Sequence, residues 1–184
     1  MPTDQIPEPW KSFLSEIDSQ VQDTVEFHCL GGFVLKMLYD LPRPTSDVDV
    51  IELVPTASTF LLELAGEFSP MRKKYNVYLD SVTIAPYPYE YESRLQVMFP
   101  GAFQNLRLFA LDPYDIVLSK IERNIQRDRD DVKYLAGKLN MDMDLLRMRF
   151  EQELKPNLGN PERESNTLRL WIEMIEEDRR QLES

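Results

Sequence analysis

Cysteine and histidine are nearly absent from this chain: its 184 residues hold one of each. A lone cysteine excludes an internal disulfide framework. One cysteine and one histidine cannot between them assemble a zinc site. No apolar run is long enough to span a bilayer, so no membrane partner is expected. The first residues, Met1-Pro2-Thr3-Asp4-Gln5, lack the basic and apolar regions of a signal peptide, and the expected location is the cytoplasm. Positive charge is also short. Lys and Arg number 21 against 32 Asp and Glu, a formal net charge of −11. That balance argues against sequence-blind binding of nucleic acid through phosphate neutralisation. It leaves room for a local basic funnel, with Arg72-Lys73-Lys74 and Arg123, Arg127 and Arg129 as its candidates. No G-x-x-x-x-G-K-[ST] occurs, which excludes a P-loop.

What the chain does hold is the balance of a soluble globular protein, 42% hydrophobic and 29% charged. Its length suits one domain, or a core with a helical annex. The densest information lies between His28 and Val50. An apolar run ends in Gly31-Gly32, a short helical pattern follows from Phe33 to Asp40, and Leu41-Pro42-Arg43-Pro44 breaks it. Asp47 and Asp49 then open a second apolar run. On a strand they share one face, while Val48 and Val50 take the other. Two carboxylates side by side call for a positive charge between them. Carboxylate oxygens are what Mg²⁺ or Mn²⁺ takes. The bland alternative is an exposed strand edge. Gly31 and Gly32 let the backbone approach a ligand at the start of a helix, where N–H groups favour anions; the bland alternative there is a tight strand-to-helix turn.

This arrangement resembles the nucleotidyltransferase superfamily, whose founding fold is that of DNA polymerase beta. The superfamily signature is hydrophobic-Gly-Gly/Ser, a helix, then Asp-x-Asp/Glu on the next strand. Here it reads Leu30-Gly31-Gly32 and Asp47-Val48-Asp49. The wording Arg43-x-Thr45-x-Asp47-x-Asp49 resembles more specifically the small bacterial branch that includes AbiEii-type and MenT-type toxins. A second block, Asp112-Pro113-Tyr114-Asp115 through Lys120 to Arg127-Asp128-Arg129-Asp130-Asp131, is similar to that branch too. The resemblance spans residues 25–135.

The resemblance implies roles residue by residue. Asp47 and Asp49 hold the metal. A third carboxylate comes from a later strand, with Asp80 the candidate and Glu52 the fallback. Gly31, Gly32, Arg43, Thr45 and Lys120 serve the nucleotide. Asp128 or Asp131 orients or deprotonates near the active site. Each has a bland reading: Asp80 as an exposed strand residue, Lys120 as the solvated side of an amphipathic helix, Asp128 as a helix cap. Cys29 reads as a core residue.

The expected fold class is α/β (α+β), a mixed β-sheet nucleotidyltransferase core over residues 1–110 and a helical C-terminal portion over 111–184 packed on it. A first helix follows Trp10, with Phe13, Leu14, Ile17 and Val21 at helical spacing. Strands are expected at 25–30, 47–54, 75–84, 94–99 and 105–110, and helices at 33–40, 59–68, 113–125, 128–139, 142–154 and 161–181. Trp171, Ile172, Met174 and Ile175 form an apolar stripe on the last helix. The expected activity is metal-dependent transfer of an NMP from an NTP to a hydroxyl, on an RNA end or a protein side chain. The resemblance implies a toxin–antitoxin or phage-defence setting with a cognate antitoxin or other partner protein. Two alternatives stay open: a catalytically silent nucleotide- or partner-binding relative, and an antibiotic-type transferase acting on a cationic small molecule, which the acidity would suit.

Overall fold

The computed structural model describes residues 6–54, 58–82 and 85–182. The chain forms two compact units, Met1–Thr83 with Leu95–Leu111, and Ile84–Arg94 with Asp112–Ser184.

The first unit is built on a five-stranded sheet: β1 (Val25–Leu30), β2 (Asp47–Val54), β3 (Tyr78–Ser81), β4 (Gln96–Met98) and β5 (Leu106–Ala110), in the order β3-β2-β1-β5-β4. β2 runs antiparallel to β1 and parallel to β3; β5 runs parallel to β1 and antiparallel to β4. The sheet is mixed, as the pattern predicts. Its helices are α1 (Trp10–Gln20), α2 (Gly31–Tyr39), α3 (Ser58–Ala65) and α4 (Pro70–Tyr75).

β1 is the central strand, and it is apolar because it is covered on both sides: Phe27, Cys29 and Leu30 are buried, and so is His28. α1 buries Trp10, Phe13, Leu14 and Ile17, the period predicted from sequence. The Trp10 ring lies 5.1 Å from that of Phe33 on α2. At its far end α1 reaches the sheet through Asp18. That carboxylate accepts the backbone N–H groups of Gln104, Asn105 and Leu106 at 2.7–3.0 Å and so fixes the entry to β5.

Two local expectations needed correction. The strand expected at 75–84 starts only at Tyr78, and its predicted end, Thr83 and Ile84, lies outside the described residues. Tyr75 closes α4 instead, and Asn76 ends that helix in the left-handed region. The cause is a start signal, Ser69-Pro70: the serine hydroxyl accepts the Arg72 N–H at 3.1 Å and proline takes the first helical position. The helix expected at 59–68 is correspondingly shorter.

The second unit is helical: α5 (Pro113–Ser119), α6 (Gln126–Leu139), α7 (Met143–Arg149) and α8 (Pro161–Leu182). α5 ends six residues earlier than expected, and Asn124 adopts φ 44° to turn the chain into α6. α7 continues as a wider π turn over Phe150–Leu154. Trp171, Ile172 and Ile175 pack in its core, and the indole N–H donates to Asn124 Oδ1 at 3.0 Å. Buried charge also holds this unit. Asp115, fully enclosed, accepts from Arg94 at 3.0 and 3.1 Å and from Arg149 at 3.0 Å. Arg94 also reaches Glu153 at 2.7 Å, and Arg149 reaches Asp112 at 2.6 Å. Burial pushes the Asp115 carboxyl up, against the pull of the two guanidiniums.

The Asp18 anchor gives a stability test. Partial burial acts to raise its carboxyl, but the three N–H donors and Arg107 outweigh it, so its pKa lies below the usual range. A depressed folded pKa stabilises above the unfolded value and is lost as pH falls through the folded one. Asp18→Asn is expected to lower stability by about 2 kcal/mol at pH 7. The gap to the native chain, read by urea unfolding, should close as the pH falls below about 4. A gap independent of pH would contradict the anchor.

Candidate active site

β1 passes directly into α2 at Gly31. Leu30, the residue before the helix, has an extended backbone, and its side chain makes no capping hydrogen bond. The first-turn N–H groups of a helix have no partner within it, and anions are favoured there. Gly31 sits at φ +70°, where a side chain is strained. It also has no room for one: a Cβ there would lie 1.9 Å from Asp49 Oδ2. Gly32 faces the segment that leads into β2, since its Cβ would meet Thr45 Oγ1 at 2.8 Å and the Arg43 guanidinium at 3.1 Å. Thr45 in turn donates its hydroxyl to Asp47 Oδ1 at 2.6 Å. Gly31, Gly32, Arg43, Thr45, Asp47 and Asp49 therefore form one cluster.

Along β2 burial alternates as period two requires. Val48 and Val50 are enclosed, while Asp47 and Asp49 are half-buried on the other face. Asp80 joins them. It stands opposite Asp49 in the parallel register of β2 and β3, and Tyr78 stands opposite Asp47. Burial, and then the charges of Asp47 and Glu67, push the Asp80 carboxyl above its ordinary range. The Tyr78 hydroxyl is pushed up by burial and by the same acids, with Asp49 adding to them. The Cys29 thiol is raised by burial and then by Asp49; enclosed and protonated, it is a core residue and no nucleophile. Glu52 pairs with His28 through its backbone, and its side chain lies outside the described residues.

Sequence reasoning missed Glu67 and Tyr78 as neighbours of this face. The signal for Tyr78 was its even spacing from Asp80. Glu67 had no local signal, because it arrives through a bridge between Gly66 and Leu79 on the outer edge of β3.

The donor set is all oxygen: carboxylates with a threonine hydroxyl beside them. It fits a hard divalent cation, Mg²⁺ or Mn²⁺. Among the described residues, no three His, Cys, Asp or Glu side chains form a ready-made metal group. Mg²⁺ commonly takes one or two carboxylates and completes its shell with water and phosphate oxygens, which two acids on one strand face suit.

Lys120 and Asp128 lie in the helical unit. Lys120 is buried and not on a solvated helix face. Its ammonium donates to Asp131 at 3.0 Å and lies 3.5 Å from Asp128. Asp128 also accepts from Arg123 at 2.9 Å and from the backbone N–H of Ile125, the residue before α6, at 3.2 Å. Burial works to raise the Asp128 carboxyl, but Arg123 and Lys120 prevail and hold it below its usual range. Asp128 is thus a helix cap and an ion-pair partner at once.

A mixed sheet with a Gly-Gly helix start facing Asp-x-Asp on the neighbouring strand is the layout of a nucleotidyltransferase. A family model described as "Nucleotidyltransferase of unknown function (DUF6036)" matches residues 11–180, and the chain belongs to that family. No curated protein and no solved structure matches it.

Two outcomes follow from this packing. Gly31→Ala is expected to lose about 3 kcal/mol of stability, from the left-handed backbone and the clash with Asp49. Gly137→Ala, in open space on α6, should instead gain about 0.5–1 kcal/mol. Asp80→Asn tests the crowding of acids. A carboxyl whose folded pKa is raised makes the fold lose stability as pH rises through that range. The variant should therefore melt higher than the native chain at pH 7 without metal, and the advantage should vanish near pH 3.5 or below. A lower melting point at pH 7 would show that Asp80 is not repelled by its neighbours.

Proposed function

We propose that this chain moves a nucleoside monophosphate from an NTP to a hydroxyl acceptor with Mg²⁺ or Mn²⁺. One observation carries the proposal: Asp47 and Asp49, with Asp80 in register beside them, share a face with the Gly31-Gly32 helix start. In this reading Asp47, Asp49 and Asp80 are the metal carboxylates. The divalent ion would neutralise triphosphate charge and lower the pKa of the attacking hydroxyl. The N–H groups of Gly31 and Gly32 take phosphate oxygens, and Arg43 and Thr45 line the same corner. The acceptor oxygen bonds to the α-phosphorus, the bond to the bridging oxygen breaks, and pyrophosphate leaves. Lys120 and Asp128 enter through the family resemblance alone, as a phosphate contact and an orienting acid.

The finer assignment to a toxin–antitoxin or phage-defence setting, with RNA or protein as acceptor and an antitoxin as partner, rests on the Arg43-to-Asp49 wording and on the second block around Lys120. No helix among the described residues is long and apolar enough to cross a membrane.

An NTP with Mg²⁺ is expected to raise the melting temperature by roughly 5–10 °C at saturation. Asp49→Asn should keep the apo fold and lose that rise. Incubation with each labelled NTP, total tRNA and lysate should place label on RNA or protein; label on a small cationic molecule would support the antibiotic-type alternative. An undiminished thermal shift in Asp49→Asn would remove the metal assignment, and a shift without any labelled product would mark a silent binder.

A further inference from the structure

Phe68 is the barest large apolar side chain among the described residues, 92% exposed. It stands one residue beyond Glu67, in the turn between α3 and α4. The bridge from Gly66 to Leu79 lays this turn along the outer edge of β3, and the charge of Glu67 is felt at both Asp80 and Tyr78. The turn therefore borders the strand that carries Tyr78 and Asp80. α4 carries three cations and no acid, Arg72-Lys73-Lys74, in a chain of net charge −11. Arg72 lies with its guanidinium 5.3 Å over the Tyr78 ring, on the strand position that pairs with Asp47. Lys74 turns away to Glu16 on α1. Arg72 and the exposed Lys73 remain as the positive border of this edge.

We infer that this border seats a single-stranded nucleic-acid acceptor, with one base stacked on Phe68 and the adjoining phosphates met by Arg72 and Lys73. Any base offers a π face to a bare ring, and backbone phosphate meets clustered cations without sequence preference. A duplex hides its base faces and cannot use the ring in this way. The charge favours this occupant over a protein, since the edge combines one isolated ring with cations and not a broad apolar patch. The inference rests on the proposed transfer reaction for its meaning, and its test is a binding measurement that needs no transfer.

The measurement is fluorescence anisotropy of a fluorescein-labelled single-stranded RNA of about twelve nucleotides, a length within known single-strand sites. No NTP is present, and full-length protein is used. Phe68→Ala should weaken binding roughly tenfold or more, and Phe68→Trp should restore it. Lys73→Gln should weaken binding and reduce the salt slope by about 0.7. Phe60→Ala, on the half-exposed ring of α3, should leave affinity unchanged. Absence of binding by the native chain, equal binding by Phe68→Ala, or equal loss in Phe60→Ala, which would mark an apolar protein-docking patch, overturns the inference. So does loss of the NTP-induced thermal shift in Phe68→Ala, which would give the ring to the nucleotide.

Discussion

The carboxylate of Asp49 occupies the space that a side chain at Gly31 would need. Much of the first unit follows from this one contact. It requires glycine at the point where β1 becomes α2, in a backbone conformation other residues avoid. It matches the register that sets Leu30 opposite Asp49 across the antiparallel pair. Gly32 then comes against Thr45 and Arg43, and Thr45 is placed to donate to Asp47. A helix start and a pair of acids are thereby held on one side of the sheet. Neither feature alone is unusual; their fixed proximity is what gives the corner its chemistry.

The two units treat negative charge in opposite ways. In the helical unit three enclosed acids are matched: Asp115 by Arg94 and Arg149, Asp131 by Lys120, Asp128 by Arg123 and Lys120. The matching is strong enough to pull Asp128 below its ordinary range despite burial. On the sheet, Asp47, Asp49 and Asp80 share one face, and burial with the charges of Asp47 and Glu67 pushes Asp80 upward. A paired buried acid is an element of architecture. Acids gathered on one face, with one carboxyl pushed upward, favour the arrival of a cation, and shifted groups of this kind mark functional sites more often than structural ones.

Much of this was legible in the sequence because it is local. Period two set Asp47 and Asp49 apart from Val48 and Val50, and β2 has the predicted bounds. The Asp112-Pro113 start of α5 behaves as read, with the carboxylate accepting the Tyr114 N–H. What escaped was decided at a distance or by competing local signals. The β-rich run from Tyr75 to Ile84 hid the cap of α4, because aromatic and branched residues at 75–79 speak for a strand while Ser69-Pro70 speaks for a helix. At the early stop of α5, Lys120 turns to an aspartate eleven positions on, a contact that no window of helical periodicity contains. Glu67 reaches Asp80 only after the edge of β3 is in place.

The path of the backbone has an evolutionary corollary. Residues 85–94 belong with the helices, although the strands at 96–98 and 106–110 that follow belong with the sheet. Arg94 is thus encoded upstream of two sheet strands, while its partners Asp115 and Glu153 are encoded downstream. Gene fusion or exchange at a single breakpoint near Leu111 would give the recipient the helices but leave behind one of the two arginines that meet the enclosed Asp115. Moving the helical portion alone, without the segment that carries Arg94, is therefore expected to leave Asp115 with one guanidinium in place of two.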